Sequence, residues 1–245
     1  SCVMMLVAFA IDSMLPAFPF IGRSLGVPVT EQPLIITAFM IGFGLAQLVV
    51  GTLSDQYGRR GIMVWSLFAF GITSLLAALA PDFTLLLVAR FAQGVAAAGA
   101  RVVVTSAVRD RYEGREMAQV MSMANVIFMA APILAPSMGA LVLMLGPWPW
   151  IFGVLALLGL VVWAWVGLRL RESLAPENRV SITPRHVLHS FRTVATDRQS
   201  VGYSLAMTAM VGALMGFLVS VQAIFDQTFR DAAFLPAGFA LMAIG

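Results

Sequence analysis

The sequence predicts an all-α integral membrane protein, on three observations. Seven stretches are apolar and long enough, at about 1.5 Å per residue, to cross a bilayer core of about 30 Å, and an eighth begins at Phe234. The chain is 60% hydrophobic and 11% charged with a mean hydropathy of +0.92, outside the range of a water-soluble domain. All fifteen basic residues are Arg, and they concentrate in alternate connections between the apolar stretches, as topology signals do. The net charge of +3 and pI near 9.7 therefore do not point to nucleic acid.

The expected spans run from Cys2 to Ile21, Pro33 to Gly51, Gly61 to Ala80, Phe83 to Val108, Gln119 to Gly146, Pro149 to Leu168 and Val201 to Phe225. The first is too long for a signal-peptide core and has no small-residue cleavage site after it, so it is a span. The connections beyond Ala80 and Gly146 are short, which makes their flanking helices adjacent and antiparallel. Trp148 and Trp150 mark one membrane interface, and Trp163 and Trp165 approach the other. The third and sixth spans are almost wholly apolar and are expected to face lipid. The first, second, fourth and fifth carry Asp12, Gln47, Arg90, Gln93, Arg101, Ser122 and Asn125 and are expected to enclose a wet space.

Alternate connections hold eleven arginines on one side against two on the other, Arg23 and Arg230. The arginine-rich side, with the start of the chain, is expected in the cytoplasm. Residues 1–168 form a six-helix unit, 169–200 a cytoplasmic linker and 201–245 the start of a second unit. The last apolar run stops short of a crossing, so the chain is expected to be a fragment of a longer protein. In the linker, Thr183 and Pro184 resemble a helix start, with Val187, Leu188, Phe191 and Val194 on one face: an amphipathic helix on the inner leaflet, or a solvated connection. His186 and His189 have no ligand-spaced partner, and the single Cys2 excludes a disulfide framework within the chain. The fifteen methionines are core filler, those facing the wet space offering a surface that repacks around varied apolar ligands.

Asp12 is the one acid inside an expected span, where an ionised carboxylate costs at least about 2.5 kcal/mol. It lies about 12 Å below the outer end of its helix and Arg90 about 10 Å below the end of its own, so the two can meet. Either Asp12 is ionised against Arg90, or it is protonated while Arg90 pairs elsewhere, for example with Gln93. A proton switch and a permanent packing pair both satisfy these residues. Arg90 and Arg101 are three turns apart on one face, with Gly94, Ala97 and Ala98 between them, although Arg101 also lies within snorkelling reach of the cytoplasmic side. Ala131 to Ala140 contains Pro132, Pro136 and Gly139, which suit a bent helix used as a hinge or a tolerated kink. An enzyme would need paired acids or a nucleophile with its base at membrane depth, and the spans hold neither.

The inner connection reads GTLSDQYGRRG, Gly51 to Gly61, and resembles the signature between the second and third helices of major facilitator superfamily transporters. IDSMLPAFP (Ile11 to Pro19), RFAQG (Arg90 to Gly94), VRDRY (Val108 to Tyr112), APILAPSMGA and RESLAPENR (Arg171 to Arg179) resemble motifs of the bicyclomycin/chloramphenicol-resistance branch of its drug:proton antiporters. The resemblance implies a twelve-helix transporter with a central cavity and alternating access. This chain would supply the N-terminal six-helix bundle, the seventh helix and the start of the eighth. By position, Asp12 and Arg90 would couple to protons, and Asp12, Gln47, Arg90, Gln93, Gly94, Arg101 and Asn125 would line the cavity. Gly51, Asp55, Gly58, Arg59, Arg60, Arg109 and Asp110 would form a cytoplasmic latch, and Pro132, Pro136 and Gly139 a hinge. Gln56 and Gly61 depart from the usual signature and imply a weaker latch; Met14 and Pro149 depart elsewhere. The implied activity is export of amphipathic drugs or other small molecules across the bacterial inner membrane in exchange for protons. The implied protein is a monomer that uses a proton gradient and no metal or other cofactor. The alternative is a non-drug metabolite exporter or facilitator of the same fold.

Overall fold

A chain this apolar must satisfy its backbone internally, and every regular element among the described residues is helical. The structure, a computed structural model, describes residues 2–170, 172, 174 and 196–224, apart from the side chains of 125, 127–133, 214–215, 217–219 and 221–224. The expected amphipathic helix and both histidines lie outside these residues. The first crossing comprises α1 (Cys2–Asp12), a 3-10 turn (Leu15–Ala17) and α2 (Phe18–Leu25). It is followed by α3 (Leu34–Tyr57), α4 (Arg59–Ala78), α5 (Phe83–Arg109), α6 (Gly114–Leu145), α7 (Pro149–Arg169) and α8 (Arg198–Ile224). Five segments among the described residues are long and apolar enough to cross a membrane: Cys2–Leu25, Leu34–Tyr57, Arg59–Ala78, Phe83–Arg109 and Pro149–Arg169. Helices α6 and α8 occupy the expected fifth and seventh spans.

Two boundaries differ from the sequence expectation. The first span is not one helix from Cys2 to Ile21, because Pro16 and Pro19 each withhold a backbone donor; the chain tightens into the 3-10 turn and resumes as α2 to Leu25. Asp12 consequently sits at the last residue of α1. The stretch Gly51 to Gly61 is not a loop either. Helix α3 continues through Tyr57 and α4 starts at Arg59, so the connection is Gly58 alone, at φ 96° and ψ 151°. Only glycine takes that conformation without strain. The start of α5 follows a regular rule, with the Asp82 carboxylate accepting from Leu85 N–H at 2.8 Å. Asp197 caps α8 in the same way; the hydroxyl and then the backbone N–H of Ser200 hold its carboxyl below the usual carboxylate range.

Between lipid-bathed helices close contact, more than water exclusion, provides cohesion. Helix α3 lies along α5, α5 also packs on α4, α4 on α7, and α1 on α6. The α3–α5 seam is backbone on backbone: a Cβ at Gly94 would overlap the Phe39 carbonyl, and one at Gly42 would overlap the Phe91 carbonyl. Helices α4 and α7 turn Trp65, Leu76, Leu157 and Trp165 outward, as expected of lipid-facing spans. Their other faces correct that expectation, because Ser74 and Phe70 of α4 and Phe152 of α7 are buried in the core. Trp148 is likewise buried, in an edge contact with Phe152 at 6.1 Å between ring centroids, whereas Trp150 is exposed.

Candidate functional site

Arg90 is the largest fully buried side chain among the described residues, and its surroundings explain how α5 holds a cation there. Nε donates to the Ile35 carbonyl of α3 at 3.2 Å, and Nη1 donates to the Ala10 carbonyl of α1 at 3.0 Å and to Gln93 Oε1 at 2.6 Å. Ala10 lies in the last turn of α1, where carbonyls lack helical donors and the helix dipole favours positive charge. The break in the first crossing thus supplies an acceptor that an unbroken helix would have used. The guanidinium also sits 4.5 Å from the Phe39 ring centroid and 5.9 Å from that of Phe152. Gln93 passes the chain of bonds on: its Nε2 donates to Ser74 Oγ at 2.6 Å, and that hydroxyl donates to the Phe70 carbonyl at 2.6 Å.

Asp12 is 4% exposed and makes no hydrogen bond or ion pair with the described residues. Arg90 bonds Gln93 and makes no ion pair with Asp12. Arg90 Nη2 and Ser13 Oγ are likewise buried without a partner among the described residues. Gly139 of α6 backs the break, since a Cβ there would overlap the Ser13 carbonyl. Pro136, also expected in the hinge, is buried one turn before it; α6 runs as one helix through both prolines, and the Pro132 side chain lies outside the described residues.

The remaining expected cavity residues are not gathered around Arg90. Arg101 is half-buried on α5 with its guanidinium 5.6 Å from the Phe43 ring centroid. Phe43 stacks on Phe39, so the two arginines each cover one ring of a pair. Gln47 is exposed on α3, and Gly94 is taken up by the α3–α5 seam. Asn125 lies on α6, with its side chain outside the described residues.

At the arginine-rich end a second cluster forms around Arg59, itself buried. Its Nη1 meets Asp55 Oδ1 and Ser54 Oγ, each at 2.5 Å, and its Nε meets Asp110 Oδ2 at 3.0 Å. One guanidinium therefore joins the end of α3, the start of α4 and the residue after α5. Arg60 Nη2 donates to the Gly167 carbonyl at 2.7 Å, and the Glu172 carboxylate accepts from the N–H groups of Arg59 at 2.9 Å and Arg60 at 3.3 Å. Gly51 lies one turn before Asp55 on α3. Arg109 is exposed and joins none of these contacts among the described residues.

Sequence reasoning missed Ser54, Ser74, Phe39, Phe152 and Glu172. Ser54 lies inside the quoted GTLSDQYGRRG and Glu172 inside RESLAPENR, so both were marked without a role. Ser74 had a weak signal, one of three hydroxyls with Ser66 and Thr73 in a mostly apolar span; the two phenylalanines had none.

The model of the Major Facilitator Superfamily matches residues 1–245. The Multidrug resistance protein MdtL of Shewanella sp. (strain ANA-3) is 33% identical over 183 residues, 74% of this chain and 46% of that protein. The Bicyclomycin resistance protein homolog of Haemophilus influenzae is 29% identical over 221 residues, 88% of this chain and 54% of that protein. Among solved structures, the human organic anion transporter MFSD10 (TETRAN) superposes with a TM-score of 0.69 at 17% identity, over 99% of this chain and 68% of that one. The chain spans about half the length of the curated relatives it matches. With a family model matching end to end, drug-resistance proteins among its relatives and the same helical fold, this multi-pass membrane chain belongs to the Major Facilitator Superfamily.

Proposed function

We propose that this chain is part of a secondary transporter that exports amphipathic small molecules, drugs included, across the bacterial inner membrane in exchange for protons. The observation that carries the reading is Asp12, buried with no ion pair among the described residues, two positions after the Ala10 carbonyl that accepts from Arg90, whose other bonds go to Gln93 and Ile35. An acid so placed is free to take and release a proton without first breaking an ion pair, and Arg90 stands ready as its alternative partner. Inward movement of a proton through 100 mV supplies about 2.3 kcal/mol, enough to bias two conformations. The resistance proteins among the relatives favour drugs as cargo. The eleven-to-two arginine bias favours a cytoplasmic Arg59 cluster, which would act as the latch of the inner end. Gly139, backing the break after Asp12, suits the hinge, together with Pro132 and Pro136.

The test uses inverted vesicles holding the full-length protein and a panel of phenicols, dyes and other amphipathic drugs. Drug-evoked proton release in wild type and none in Asp12→Asn, with equal folded protein, is the expected result. Release that survives in Asp12→Asn would remove Asp12 from the mechanism, and silence in wild type would move the cargo to a non-drug metabolite.

A further inference from the structure

Ser74 belongs to α4, touches neither Asp12 nor Arg90 by any hydrogen bond, and is fully buried. Its single proton goes to the Phe70 carbonyl, one turn back, at 2.6 Å. Lone pairs are what it has left for Gln93, and the Gln93 Nε2 group donates to them at 2.6 Å. An amide whose nitrogen is held on Ser74 has its oxygen turned the opposite way, where it accepts from Arg90 Nη1 at 2.6 Å. Reversing that amide would set N–H against N–H at Arg90 and oxygen against oxygen at Ser74, so both contacts would fail together. Ser74, Gln93 and Arg90 are all at 0% exposure, which makes each lost bond costly.

We propose that Ser74 is a positioning residue for Arg90: by accepting from Gln93 it fixes which end of the amide meets the guanidinium, and so holds Arg90 on Gln93 and away from Asp12. A hydroxyl of α4 thereby sets the resting partner of a cation of α5. Its consequence for transport rests on the role proposed for Arg90 above; the positioning itself does not.

The experiment is nitrogen-15 NMR of the full-length protein in detergent micelles, labelled at arginine, with the Arg90 signals identified by their loss in Arg90→Lys. A buried guanidinium held by three acceptors rotates slowly and gives resolved Nη–H signals. Ser74→Ala is expected to shift or broaden them, and Ser74→Thr, which keeps the acceptor, to retain them. In a Gln93→Met background, with no amide to orient, Ser74→Ala is expected to change nothing further. Identical Arg90 signals in wild type and Ser74→Ala would overturn the proposal, as would a Ser74→Ala change that persists in the Gln93→Met background, since that reports packing alone. Where Ser74→Ala yields no folded protein, Ser74→Cys, close in size and a poor acceptor, takes its place. Vesicle transport by the same variants separates the two claims. Flux about tenfold lower in Ser74→Ala and kept in Ser74→Thr supports both; Arg90 signals that move while wild type shows no drug flux support positioning and overturn drug export.

Discussion

Replacing Arg59 by Ala tests how the inner ends of α3, α4 and α5 are held. The side chain is 9% exposed and bonds Asp55, Ser54 and Asp110 at once, with the two carboxylates 44% and 22% exposed. Two unit charges about 3 Å apart attract by roughly 5 kcal/mol at an effective dielectric of 20, but desolvation cancels most of it. The Asp55 pair, half in solvent, is therefore worth about 0.5 kcal/mol. The better-buried Asp110 pair and the hydroxyl bond to a charged donor are each worth about 1.5 kcal/mol. Their sum predicts a loss of about 3.5 kcal/mol, most of it from Asp110 and Ser54. Arg59→Lys should recover less than half, because one ammonium cannot copy three directed contacts. The assay is reversible chemical unfolding of the full-length protein in mixed micelles, with Arg59→Ala, Asp110→Ala and the pair closing a double-mutant cycle. A loss under about 1 kcal/mol for Arg59→Ala, or a coupling to Asp110 indistinguishable from zero, would refute the reasoning.

Three further perturbations follow from the same geometry. Gly58→Ala forces a side chain into a region near φ 96° that only glycine occupies freely, and should lower stability by about 1 to 3 kcal/mol in the same unfolding assay. Glu172→Ala removes the acceptor for the first N–H groups of α4; hydrogen exchange at Arg59 and Arg60 should accelerate several-fold while exchange in α5 stays unchanged. Gly94→Val places a side chain against the Phe39 carbonyl and should prevent α3 and α5 from closing, so that size-exclusion chromatography shows aggregate in place of a monodisperse peak.

The sequence by itself determined what depends on short range and on the solvent. Apolar length, the arginine bias and the order of motifs were enough for helical crossings and for the family, because a backbone in lipid has few ways to satisfy itself. It also determined that Arg90 and Gln93 share a face, since residues three apart on a helix are neighbours. Only the tertiary structure decided which acceptors Arg90 would use. Ile35 and Ala10 come from two other helices and Ser74, the acceptor behind Gln93, from a third, and a hydroxyl in an apolar span looks the same whether it faces lipid or a buried amide. The break after Asp12 was hidden for a related reason: Pro16 and Pro19 were visible, but whether prolines bend, tighten or interrupt a membrane helix depends on what packs alongside, here the Gly139 face of α6. Glu172 reached the start of α4 across more than a hundred residues, a contact that chain closure permits and no local pattern encodes.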